Sequence, residues 1–66
     1  MRTLKINGEE RKISAETIAA LLEMLELPMV GIAVELNGEI VKGESYKSAA
    51  LNDGDVLEIV SLVGGG

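Results

Sequence analysis

Apolar and polar residues alternate from the first residues onward. In "RTLKIN", Leu4 and Ile6 fall on one side and Thr3 and Lys5 on the other. That period of two predicts a strand half buried against a core. "NGEE" follows as a hairpin turn in which Gly8 supplies the positive φ such turns need, and "RKIS" is the short return strand with Ile13 inward. The period then changes. In "ETIAALLEMLEL", Ile18, Leu21, Leu22 and Leu25 recur at i, i+3, i+4 and i+7, a helical stripe wide enough to lie on a sheet. Thr17 is the expected N-cap, and Pro28 marks the end because the residue before a proline is pushed out of the helical region.

Alternation returns in "GIAVELNGEIV": Ile32, Val34 and Leu36 point one way, Asn37-Gly38 turns, and Ile40-Val41 come back. "KGESYKSAALNDGD" has no clear period and reads as a long surface connection with room for one short helical turn. The last strand is "VLEIVSLV", with Leu57 and Ile59 inward if Glu58 faces water, and Val60 and Leu62 on the opposite face. A register shift of one would exchange those faces. The predicted order is β-β-α-β-β-β. It describes an α+β fold in which a mixed sheet of about five strands packs on one main helix and the last strand pairs with the first.

Composition narrows the chemistry. At 66 residues with 47% hydrophobic content the chain makes one small globule with a marginal core. With no Cys and no His, it has neither thiolate nor imidazole, which removes the familiar nucleophilic triads, iron–sulfur ligation and the common zinc sites. A net charge of −5 disfavours nucleic acid and anionic membranes and favours partners with basic surfaces. No apolar run is long enough to span a bilayer and no signal-peptide run opens the chain, so a cytoplasmic protein is expected. Asp53 and Asp55 around Gly54 suit a turn better than a cation loop, which needs further ligands. Glu9-Glu10 reads as a solvated turn, Met24 and Met29 as core or edge fillers, and the Tyr46 ring as packing under the connection.

That leaves the end, "IVSLVGGG". Residues 1–63 form the expected domain and Gly64, Gly65 and Gly66 a flexible tail. Glycine packs nothing and is costly to order. With no Cβ it passes through a narrow slot, and three extended residues reach about 10 Å. At the tip is an unhindered α-carboxylate, a group that ATP can activate by adenylation. A frayed end is the ordinary explanation for such a run, so its context decides.

The context is a resemblance over the whole chain, carried by "LNGEIV" at 36–41, Tyr46, "NDGDVLEIV" at 52–60 and the glycine terminus. The chain resembles the ubiquitin-like β-grasp sulfur carriers, and most closely the ThiS family of thiamine biosynthesis. Gly64, where some relatives have Ala, is a departure that loosens the tail. The resemblance implies a protein co-substrate with no catalytic residue and no bound cofactor or metal. An E1-like activating enzyme of the ThiF type would use ATP and Mg to adenylate Gly66. A persulfide enzyme would then supply sulfur to form a thiocarboxylate, and a thiazole synthase of the ThiG type would receive it. Such a carrier is expected to be monomeric alone. Val60 and Leu62, rimmed by Glu58 and Glu35, are the candidate docking patch beside the tail; scattered surface apolar area is the ordinary alternative. Three other readings share fold and tail: a molybdopterin synthase small subunit, a ubiquitin-like protein modifier, and a plain β-grasp interaction module.

Overall fold

The computed structural model describes residues 1–62, so Val63 and the expected tail Gly64–Gly66 lie outside the described residues. Five strands and one α-helix follow in the order β1 (Arg2–Ile6), β2 (Glu9–Ile13), α1 (Ile18–Met24), β3 (Ile32–Leu36), β4 (Glu39–Val41) and β5 (Val56–Ser61), with a 3-10 turn at Gly43–Ser45. The sheet order is β2-β1-β5-β3-β4. Two hairpins flank β5, which runs parallel to β1 and antiparallel to β3. This is the expected β-grasp arrangement, with the last strand at its centre.

Both hairpins turn on Asn-Gly. Asn7 and Gly8 have φ of +50° and +85°, and Asn37 and Gly38 have +52° and +85°. Positive φ at both central residues is what a two-residue type I′ turn requires, and Asn and Gly tolerate it best. These turns fix the register, so Leu4, Ile6, Ile13, Val34 and Leu57 all face the helix and are nearly or fully buried.

The helix begins as the sequence indicates. Thr17 is extended at φ −134° and its hydroxyl accepts from the Ala20 N–H at 3.2 Å. The two preceding free N–H groups of the first turn find partners in the long connection: Ile18 donates to the Ala49 carbonyl at 3.1 Å and Ala19 to the Tyr46 carbonyl at 2.9 Å. The connection is therefore the helix's N-terminal cap as well as a link, which accounts for its ordered path and for the burial of Tyr46 and Leu51 at 2% exposure each.

The helix ends sooner than Pro28 suggests. Glu26 takes φ +59°, its N–H donates to the Glu23 carbonyl at 3.0 Å, and the Leu27 N–H donates to the Leu22 carbonyl at 2.8 Å. That pair of bonds is a Schellman stop, here built on Glu instead of the usual Gly. Ile18, Leu21 and Leu22 are fully buried and Leu25 packs against their edge. Met24 and Met29 are 51% and 46% exposed and fill no core space. Met24 lies off the apolar stripe, and Met29 lies past the helix end. Among the described residues no polar or charged side chain is buried.

Candidate functional site: the outer sheet face and the root of the tail

The faces of β5 follow from its pairing. Leu57 is fully buried and Ile59 packs against the core edge, while Val56 and Val60 are 41% and 53% exposed on the other side with Glu58 between them. β3 brings Ala33 opposite Val60 and Glu35 opposite Glu58. Two carboxylates thus face each other across the central ladder, an unfavourable pairing in isolation. Glu35 also pairs with Ile40 of β4, which is 75% exposed. The outer face therefore carries Val60, Glu58 and Glu35 together and adds Ile40. Leu62 lies one residue beyond β5, 66% exposed, with its N–H bonded to the Gly31 carbonyl at 2.7 Å. The same loop exposes Val30 at 83%.

Ile40 was within reach of sequence reasoning. A two-residue turn at Asn37-Gly38 sets Glu39 opposite Leu36, so Ile40 must face outward beside Glu35. The clasps on β5 gave no such signal, because their partners are distant in sequence. Asn7 accepts from the Ile59 N–H at 2.7 Å through Oδ1 and donates to the Ile59 carbonyl at 3.1 Å through Nδ2. Asn37 accepts from the Val56 N–H at 2.9 Å and donates to Asp55 Oδ1 at 3.0 Å. Both turn asparagines therefore hold the strand that leads to the tail.

Asp53 and Asp55 are engaged in the turn before β5. Asp53 accepts from the Thr3 N–H at 2.6 Å and Asp55 from the Asn52 N–H at 2.8 Å. Those bonds set where β5 starts. On the helix side, the early stop of α1 leaves the far end of β5 uncovered. A groove of about 450 Å³ opens there, lined by Leu25, Leu27, Ile32 and Ile59 with Glu9 and Arg11 at its rim. The end of β5 is thus reachable from both faces of the sheet. Gly64, Gly65 and Gly66 lie outside the described residues.

Five strands in the order β2-β1-β5-β3-β4 packed on one helix define a ubiquitin-like β-grasp domain. A family model described as the ThiS family matches residues 4–66. The chain is 39% identical to the sulfur carrier protein ThiS of Thermus thermophilus, covering 92% of this chain and 95% of that one. With the Bacillus subtilis sulfur carrier protein ThiS the identity is 42%, covering 96% and 98%. A thiazole synthase of Paramagnetospirillum magneticum is 55% identical over 64 residues, and there the chain spans 20% of the relative's length. A crystal structure of the thiamine biosynthesis protein ThiS from Geobacter metallireducens superposes with a TM-score of 0.81 at 32% identity, covering 97% and 99%. The chain belongs to the ThiS family, and its role is that of a small sulfur carrier in thiamine biosynthesis, not of a catalyst.

Proposed function

We propose that sulfur is carried on the terminal carboxylate of Gly66. An E1-like activating enzyme binds Mg–ATP, and a Gly66 carboxylate oxygen attacks the α-phosphorus, expelling pyrophosphate and leaving an acyl-adenylate. The terminal sulfur of a partner's persulfide then attacks the acyl carbon and AMP leaves, giving an acyl disulfide. A second thiol cleaves the S–S bond and is oxidised to a disulfide, releasing the thiocarboxylate. The carrier delivers this sulfur to the acceptor on a thiazole synthase, an oxygen from that acceptor or from water takes its place on the acyl carbon, and the chain ends as the free carboxylate again. The chain itself needs no cofactor or metal for this; ATP and Mg belong to the activating enzyme.

The observation that carries the reading is the extent of the family match, which runs through residue 66 and so includes the glycine terminus. The thiazole synthase relative supports the last step. A segment similar to nearly all of this chain is present there within one polypeptide of that name. Val60, Leu62, Glu58 and Glu35 form the docking patch, with an apolar contact beside the tail and carboxylates that favour a basic partner surface. The carrier works as a monomer in the cytoplasm. Among the described residues no helix is long and apolar enough to cross a membrane.

Intact-mass spectrometry of the chain from cells grown with and without thiamine tests this. A species heavier by the difference between one sulfur and one oxygen, mapped to Gly66 and enriched without thiamine, is the expected result. No shift when activating enzyme, Mg–ATP and a persulfide donor are all supplied would refute the proposal. A conjugate to a target lysine would identify a protein modifier instead.

A further inference from the structure

A sheet packed on one helix turns an inner face to it, and the positions on that face are ordinarily covered. In β2 most of them are not. Ile13 is buried under the helix, and Arg11 and Glu9 share its side of the strand because side chains alternate. Both are exposed. The cause is the short helix: α1 stops at Met24 and the chain turns off at Glu26, which leaves this end of the inner face without cover.

The uncovered end is the groove of about 450 Å³, with Leu25, Leu27, Ile32 and Ile59 as its floor and Glu9 and Arg11 on its rim. Its floor is not used up by the core. Leu27 is 37% exposed, and Leu25, Ile32 and Ile59 are only partly buried. Among the described residues no hydrogen bond or ion pair engages the side chain of Glu9 or Arg11. Arg2, by contrast, is committed to the Ser14 and Ala15 carbonyls.

Opposite charges side by side over an apolar floor specify an occupant. It is convex, it inserts an apolar side chain, and it brings a carboxylate to Arg11 and a cation to Glu9, because matched rim charges orient a partner and reject wrong ones. A second copy of the chain does not fit: two concave grooves set face to face leave both floors unfilled. A free apolar molecule would cover the floor and leave both charges unmatched. The outer face makes a different demand, since Glu35 and Glu58 there call for basic groups alone. The two sides of the sheet thus suit two different partner surfaces.

We infer that this groove is a second docking site, which takes an apolar side chain of the thiazole synthase flanked by a carboxylate for Arg11 and a cation for Glu9. The inference rests on the proposed delivery of sulfur to that enzyme and involves no residue beyond Leu62.

The experiment titrates the nitrogen-15-labelled chain with purified thiazole synthase, following amide shifts and Kd. One variant exchanges the rim charges, Glu9→Arg with Arg11→Glu. Its control exchanges the charges on the other side of the same strand, Glu10→Lys with Lys12→Glu. Both exchanges keep the net charge of −5, and all four positions are exposed, so the fold is retained. The Arg11, Leu27 and Ile32 amides are expected to shift. The rim exchange is expected to weaken Kd about tenfold and Leu27→Gln about fivefold, while the control exchange stays within about twofold. Equal losses from the two exchanges, or no loss from the rim exchange, would overturn the inference. Shifts confined to the Glu58, Val60 and Ile40 amides would overturn it as well, by placing the synthase on the outer face alone. Groove amides that shift with the concentration of the carrier by itself would assign the groove to a second copy and overturn it too. An unmodified chain that does not bind the synthase would overturn the delivery reading and the inference with it; binding that leaves the groove amides unmoved would overturn the inference alone.

Discussion

The helix stop at Glu26 provides a direct test of the fold's energetics. An L-residue at φ +59° crowds its Cβ against the following carbonyl, at a cost of about 1–2 kcal/mol. Glycine escapes that cost but loses more freedom on folding, about 0.5–1 kcal/mol. Glu26→Gly should therefore stabilise the domain by about 0.5–1 kcal/mol. For a domain of this size that corresponds to roughly 2–8 °C in Tm. Against a total of about 3–10 kcal/mol for a chain of this length, the change is easily measured. Urea unfolding can be followed by far-UV circular dichroism and by Tyr46, which is 2% exposed and reports core loss. Glu26→Ala is the decisive control. It removes the same charge and keeps the left-handed strain, so its midpoint should stay near that of the parent. If Ala stabilises as much as Gly, charge was the cause and the strain argument fails. A destabilised Gly variant would show that the Schellman bonds do not form as described.

Two further predictions concern the sheet. Glu58→Gln removes one of two facing carboxylates and should stabilise by about 0.2–1 kcal/mol at low salt, with the gain disappearing near 1 M salt where the screening length falls to about 3 Å. A gain that persists in high salt would mean the pair is not repulsive. Gly38→Ala meets no atom within 4 Å of the new Cβ, so its expected loss of about 1–2 kcal/mol comes from φ +85° alone. An unchanged urea midpoint would show that the turn can adopt another conformation.

Much of the fold was legible because its signals are local. Asn-Gly set both hairpins, the alternation of Leu57, Glu58 and Ile59 gave the faces of β5, and Thr17 capped the helix as its position implies. Pro28 points to a later helix end than the one the structure has at Met24. The actual signal was a left-handed Glu26, which sequence preference disfavours. Nothing local in "KGESYKSAAL" shows that its carbonyls meet the first N–H groups of α1, so by sequence alone the long connection looks like surface. The asparagine clasps were invisible for the same reason: Asn7 and Ile59 are 52 residues apart and meet only through the sheet. Of the candidate site, the outward face of β5 follows from parity and Ile40 from the Asn37-Gly38 turn, while the Asn7 clasp needs the assembled sheet.

The paired Glu35 and Glu58 also bear on what the outer face refuses. Val60 and Ile40 make that face adhesive, and an adhesive sheet surface risks stacking on its own copy. Two copies meeting there would bring two Glu35–Glu58 pairs into one layer, where like charges oppose each other as that layer dries. A partner that brings a lysine or arginine to the same place meets no such barrier. In the proposed docking, the acidic pair works as a password that favours a basic partner surface over a second copy of the chain.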